Sequence, residues 1–142
     1  MGLQSSIDIK LINNFGLIQF IESLSLHQWS LIHDDSILYL PKNDIDFNWN
    51  SVKKEDYDLV LNTIKIKLTK KETIGVSMYH LDIKSGFLFH YFPQTNKIMI
   101  LLTYNRIKIS NTKFTDFTIY LKEIYKIISQ DEIEYIVCQD TY

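Results

Sequence analysis

The fold is decided by residues 73–129, which read TIGVSMYHLDIKSGFLFHYFPQTNKIMILLTYNRIKISNTKFTDFTIYLKEIYKIIS. Three apolar runs in this stretch, Thr73–His80, Phe87–Phe92 and Lys97–Tyr104, have the length and the aromatic and β-branched content of strands. The polar turns between them are short, so neighbouring strands are expected to pair antiparallel. Helical spacing of apolar residues then predicts a helix over Asp116–Ser129, packed on the sheet.

The ends of these elements are also predicted. The first turn of the ladder is expected at Leu81–Gly86, with Gly86 adopting a positive φ. Thr115 is expected to cap the last helix, and Phe114 and Ile119 to pack across its first turn as a hydrophobic staple.

The chain before this stretch predicts further elements. Alternation over Ile7–Leu11 indicates a strand, and Asn13 or Asn14 is expected to cap a helix. The apolar runs Trp29–His33 and Ser36–Leu40 flank a short polar turn and predict a hairpin. The apolar positions of the first helix are Leu17, Ile18, Ile21 and Leu24.

Residues 41–51 are rich in Asn and Asp and are predicted to form a loop. Asn50 or Ser51 is expected to cap the helix that follows. Alternation beginning at Ile133 predicts a short final strand. The apolar face of the second helix is Tyr57, Val60, Leu61, Ile64 and Leu68.

With 142 residues and a 46% hydrophobic composition, the chain is expected to form a single domain, residues 1–142. The predicted fold class is α+β. It consists of a mainly antiparallel sheet of about five or six strands packed with about three helices.

Charge is distributed unevenly along the chain. The net charge is −2, which argues against direct binding to nucleic acid. Residues 34–58 contain seven acidic residues and three lysines, whereas residues 97–126 contain six basic and two acidic residues. A negative surface that meets a basic partner is therefore one interpretation of the first segment, since complementary charge speeds encounter.

The candidate partner-binding residues follow from that interpretation. They are Asp34, Asp35, Asp44, Asp46, Trp49, Glu55 and Asp58. Trp49 is the expected apolar anchor, because Trp is enriched at interface hot spots. The alternative is structural: aspartates stabilise turns through bonds to their own backbone, and Trp49 tethers the loop to the core.

No catalytic, metal or cofactor motif is found in the sequence. The histidines have no zinc-type spacing, and four glycines include no phosphate-binding loop. His80 and His90 lie on adjacent predicted strands, so a shared catalytic or metal site is an alternative. Ser77 and His80 are three residues apart and should point to opposite faces, which excludes a simple triad with Asp82.

The expected compartment is the cytoplasm. Cys138 is the only cysteine, which fits a reducing environment. No apolar run is long enough to span a membrane, and the first residues lack the pattern of a signal peptide.

Three segments carry a family resemblance: Tyr39–Pro41 leading to Phe47–Trp49, then Ile74–Tyr79, then Phe114–Phe117. Together they resemble small immunity proteins of bacterial contact-dependent growth inhibition and related polymorphic toxin systems. The resemblance implies a cytoplasmic, non-enzymatic protein that binds the C-terminal domain of a cognate toxin. It would block the active site of that toxin or the approach of its substrate, and nucleases are common among such toxins.

Two other classes of function stay open. One is a small enzyme or ligand-binding domain that uses His80 and His90. The other is a regulatory module that self-associates through its sheet. The sequence does not fix the oligomeric state.

Overall fold

The structure is a computed structural model and describes residues 2–142. The strands in that range are β1 (Gln4–Leu11), β2 (Trp29–Ser30), β3 (Ser36–Tyr39), β4 (Asn50–Lys53), β5 (Ile74–His80), β6 (Ser85–Phe92), β7 (Lys97–Tyr104) and β8 (Ile133–Thr141). The α-helices are α1 (Leu17–Ser23), α2 (Tyr57–Thr69) and α3 (Phe117–Ile124), and short 3-10 helices cover Leu24–His27, Lys54–Asp56 and Gln130–Glu132. The predicted α+β class is confirmed, with eight strands in the described range instead of five or six.

All the strands belong to one antiparallel sheet. Their order is β4-β3-β5-β6-β7-β1-β8, and β2 pairs with β5 beside the β3 contact. The predicted ladder of β5, β6 and β7 is confirmed and lies at the centre. Strand β1 lies between β7 and β8, so β8 forms one edge of the sheet.

The helices cover one face of the sheet. Strand residues such as Phe89 and Ile100 are almost fully buried there, together with Phe20 of α1 and Tyr120 of α3. The rings of Phe20 and Phe89 lie 5.2 Å apart. This side holds the hydrophobic core, and none of the helices within residues 2–142 packs on the opposite side.

Helix α1 shows the predicted apolar face but a different start. Leu17 and Ile21 are buried, as expected. The N-cap is Gly16, with no side-chain cap hydrogen bond, so the predicted Asn13 or Asn14 cap is wrong.

Helix α2 confirms the predicted helix, and Val60 and Ile64 are buried in the core. The predicted cap at Asn50 or Ser51 is wrong, because these residues belong to β4. Strand β4 is polar and exposed, and its pairing with β3 supplies the backbone hydrogen bonds that fix it.

Helix α3 ends at Ile124, five residues before the predicted Ser129. The chain continues in tighter turns that still bury Ile128, which explains the helix-like apolar spacing. The N-cap is Asp116, so the predicted cap at Thr115 is wrong. Phe114 is 48% exposed, which contradicts the predicted staple.

Thr115 is instead part of a buried polar cluster. Its N–H and hydroxyl donate to the Asp140 carboxylate at 2.8 and 2.7 Å, and Ser5 also bonds Asp140. Arg106 Nη1 donates to Thr115 Oγ1 at 2.8 Å. Burial raises the pKa of Asp140, but the bonds from Ser5 and Thr115 outweigh it and leave that pKa below its ordinary value. The cluster ties the segment before α3 to β8.

The turn between β5 and β6 differs from the prediction in its glycine. Lys84 has the positive φ, at 53°, whereas Gly86 lies inside β6 with an ordinary φ. A Cβ on Gly86 would approach the Met78 carbonyl oxygen to 3.0 Å. Gly86 is therefore required for close approach rather than for the turn.

The predicted hairpin around Asp34 and Asp35 is only partly present. Both residues have positive φ, 50° and 60°, and His33 and Ser36 exchange backbone hydrogen bonds across them. This geometry matches a type I′ turn. The predicted first arm of the hairpin is wrong, because Trp29–Ser30 pairs with β5. Across the turn, only His33 and Ser36 pair, as an isolated bridge.

In residues 2–142 no helix is long and apolar enough to cross a membrane.

Gly75 provides a test of how the loop 41–49 packs on the sheet. A Cβ at Gly75 would lie 2.6 Å from Leu40 Cδ1 and 2.8 Å from Trp49 Cη2. We expect Gly75→Ala to lower the free energy of unfolding by about 1–3 kcal/mol, because these packed groups must shift. Chemical denaturation measures the change.

Gly16→Ala is the matched control. Its Cβ would meet the flexible end of Gln19 at 2.8 Å, which can move at little cost. Equal stability of the two variants would show that the contact at Gly75 is not tight.

Candidate functional site

The face of the sheet without helices, called here the open face, is the candidate functional surface. The register gives its composition, since paired residues point to the same side. Its members on the central strands include Ser77, Leu88 and Leu101, which form one row across β5, β6 and β7. The remaining apolar and aromatic members are Leu38, Tyr79, Phe92, Met99, Tyr104, Tyr135 and Val137.

The loop 41–49 covers one part of the open face. Trp49 packs against the position of Gly75, and its ring lies 5.4 Å from that of His90. Phe47 lies 5.8 Å from His90 and has a φ of 55°, which is unfavourable for a bulky residue. Packing on the sheet therefore holds a strained loop conformation.

His90 is buried beneath this loop. Burial lowers its pKa, and a hydrogen bond with the Met99 carbonyl at 3.2 Å opposes that shift. Since a carbonyl can only accept, Nδ1 carries the proton in this contact. His90 is accordingly the neutral imidazole near neutral pH.

His80 lies on the opposite, helix-covered face. Its Nε2 is 3.0 Å from Glu123 Oε2, and its Nδ1 accepts the N–H groups of Asp82 and Ile83. The pairing places His80 opposite Ser85, whereas His90 pairs with Gly75 at the other end of β5. The prediction that His80 and His90 approach each other is therefore wrong.

Glu123 is held by this arrangement. Burial raises its pKa, but hydrogen bonds from Lys126 and His80 outweigh that effect and leave the pKa below its ordinary value. The contact joins α3 to the β5–β6 turn, which is a structural role for His80. Ser77 points to the open face, so the predicted separation of Ser77 from His80 is confirmed.

The predicted acidic residues form two separate groups. The first group consists of Asp34 and Asp35, on the turn before β3, and Glu55 and Asp58, which follow β4. It lies at the end of the β3–β4 hairpin that is opposite to the connecting loop 41–49. Lys54 joins this group, since its N–H donates to the Asp35 carbonyl and its Nζ lies 3.3 Å from the Asp35 carboxylate. The four acidic side chains are exposed.

Asp44 and Asp46 lie at the other end of that hairpin, about 10 Å along the strands. Asp44 accepts the N–H of Asn48 at 3.1 and 3.2 Å, so it stabilises the loop as the structural alternative predicted. Asp46 is exposed.

Burial lowers the pKa of the nearby Lys67, while Glu72 and Asp44 oppose that shift.

Trp49 is half-buried between loop and sheet. Its contacts with Gly75 and His90 are those of a tether. Ile45 and Phe47, 86% and 46% exposed, are the apolar side chains that this loop presents to solvent.

A cavity of about 320 Å³ opens on the open face beside the Asp34–Asp35 turn. Three rings form its wall: His33 stacks on Tyr79 at 4.2 Å and lies 4.8 Å from Tyr104. Leu38 and Leu88 line its floor, and Asp34 lies at its mouth.

The sequence analysis missed this aromatic cluster. Its members are far apart in the chain, and Gly86 brings Tyr79 and Tyr104 together because both residues pair opposite it. Alternation alone could have placed Tyr79 on the face opposite His80. The register to β7, with its bulge beside Gly86, could not be deduced from spacing.

In residues 2–142 no group of three or more His, Cys, Asp or Glu side chains is close enough to hold a metal ion.

Comparison of the chain with protein families, with curated proteins and with solved structures finds no match.

The position of His90 predicts a pH dependence. Its folded pKa is below the ordinary value of 6.5, so the unfolded chain binds the proton more readily. The neutral His90 therefore makes its full contribution to the free energy of unfolding above pH 6.5. This contribution is lost as the pH falls through the lower pKa that His90 has in the folded state. We expect the free energy of unfolding of His90→Gln, which can still donate a hydrogen bond to Met99, to change less between pH 7 and pH 5 than that of the unmodified protein. Urea denaturation at each pH measures this free energy.

If the free energy of unfolding of His90→Gln depends on pH as it does in the unmodified protein, groups other than His90 cause the loss of stability. Trp49 fluorescence provides the second readout, because the indole should become more exposed as the loop loosens. Trp29 is 1% exposed in the core and should not respond before global unfolding.

Proposed function

We propose that this protein is a cytoplasmic immunity protein that binds and neutralises the toxin domain of a bacterial polymorphic toxin. The observation that carries the proposal is the open face: apolar and aromatic side chains on a rigid sheet, with an acidic group at its edge. The resemblance of the sequence to immunity proteins adds the class of partner.

The open face has the composition of a protein-binding surface. Tyr104, Tyr135 and Val137 are 44%, 44% and 43% exposed, and Leu88 and Leu101 between them are half-buried. Ser6, Asp8 and Lys10 of β1 lie on the same face and separate Leu101 on β7 from Tyr135 and Val137 on β8. Exposed apolar surface of this kind is typical of interaction sites, and Tyr is frequent among binding hot spots. Pairing between the strands fixes the backbone that carries these side chains, so binding requires little ordering of the main chain.

The acidic group supplies charge complementarity. Asp34 and Asp35 lie on a tight turn. Glu55 directly follows Lys54, which binds Asp35, and Asp58 lies in the first turn of α2. A nuclease toxin must attract phosphate and therefore carries a basic cleft. An acidic edge next to an apolar face would steer this protein onto such a cleft and keep the nucleic acid out.

Co-expression with the toxin domain encoded beside the gene tests the proposal. We expect restored growth, a 1:1 complex on gel filtration and loss of toxin activity in a purified assay. Growth arrest with no complex would contradict the proposed function. The complex without loss of activity would contradict neutralisation by blocking.

Charge reversal tests which acidic group contributes to binding. We expect Glu55→Lys with Asp58→Lys to slow association with the toxin domain by about tenfold at low salt and to weaken its salt dependence. Stopped-flow fluorescence measures the association rate. Asp46→Lys reverses a charge in the second acidic group, and the same assay measures its effect on the association rate.

Asp131→Lys is the control for overall charge, since Asp131 is exposed in the 3-10 helix before β8. If Asp131→Lys slows association as much per reversed charge as Glu55→Lys with Asp58→Lys does, only net charge matters. The first acidic group would then have no local role.

Self-association is the second candidate function, and the edge strand β8 favours it. Among the described residues no strand pairs with the outer side of this nine-residue strand. Unpaired edges can join a second chain. A monomer in analytical ultracentrifugation at high concentration would argue against this function.

A further inference from the structure

We propose that the cavity beside the Asp34–Asp35 turn binds a basic side chain, arginine in preference to lysine, presented by a protein partner. The cavity combines an aromatic wall, an apolar floor and one carboxylate at its mouth. The identity of that partner as a toxin rests on the proposed function, whereas the chemistry of the cavity does not.

The wall provides ring faces and edges for a planar cation. His33 and Tyr79 stack at 4.2 Å with an interplanar angle of 25°, and Tyr104 lies edge-on to both. Tyr104 is 44% exposed, so part of the cluster is available to a ligand. Guanidinium groups stack on aromatic rings and are more weakly hydrated than ammonium groups, which favours arginine.

Asp34 supplies the charge. Of the described residues that line the cavity, it is the only acidic one, and its side chain is 86% exposed. Its backbone has a φ of 50° in the turn, and its carboxylate lies beside the ring of His33. His33 Nε2 lies 3.4 Å from Asp34 Oδ2, is shielded from solvent and makes no hydrogen bond within residues 2–142.

The floor matches the stem of the same side chain. Leu38 and Leu88 are half-buried and offer apolar surface for methylene groups. The size of about 320 Å³ is at the lower end for ligand pockets. It suits one long side chain whose backbone stays outside, and the exposed open face around the mouth would carry the rest of a protein partner.

Titration with N-acetyl-arginine methylamide, followed by two-dimensional NMR of the full chain, tests the proposal without any toxin. We expect shifts at the rings of His33, Tyr79 and Tyr104. The citrulline analogue replaces the guanidinium by a neutral urea of similar shape and should bind at least about fivefold more weakly.

Asp34→Asn is the decisive variant. Asn tolerates positive φ as well as Asp does, so the turn should be retained. We expect the affinity for the arginine probe to fall about fivefold to tenfold. Asp35→Asn is the matched control: it removes an equal charge from the same turn, but Asp35 pairs with Lys54 and does not line the cavity.

Equal losses in the two variants, equal binding of arginine and citrulline probes, or shifts confined to Glu55 and Asp58 would each overturn the proposal. Tyr79→Leu, with Tyr135→Leu as the control on the far side of the open face, tests the wall separately. Probe binding without a toxin complex would leave the cavity assignment standing and remove the proposed function. A toxin complex without probe binding would do the reverse.

Discussion

The two-residue period of the central ladder determines both the core and the candidate site. Because β5, β6 and β7 pair in one antiparallel register, every second side chain is committed to the same face. Phe87 and Phe89 enter the core, and Leu88 between them reaches the open face. A slip of one residue would exchange the two sets, so the burial of the core also fixes the composition of the surface.

Two glycines on that surface allow the covering groups to approach. Gly75 leaves space for Trp49, which lets the loop 41–49 lie against the sheet and bury His90. Gly86 has no side chain between Tyr79 and Tyr104, so both rings can lie close to each other and to His33. Neither glycine has a positive φ, so space rather than backbone freedom explains why small residues are needed.

The parts that the sequence predicted correctly are those determined by local pattern. Long apolar runs identified β5–β7, and helical spacing identified α2. Strand β4 was missed because its polar residues have no strand pattern of their own and depend on β3 for pairing. The Thr115 cap was wrong because a distant carboxylate, Asp140, takes its hydroxyl.

The same distinction applies to the candidate site. Acidic residues were recognised from composition, but the β3–β4 hairpin holds Asp44 and Asp46 away from Asp34 and Asp35. Half-buried side chains such as Leu88 and Leu101 gain only part of the roughly 1.5–3 kcal/mol that full burial of such a residue provides. The remainder becomes available only when another surface covers the sheet. Since the core side already stabilises the strands, the open face can keep this apolar surface exposed without losing its register, and binding there requires little ordering.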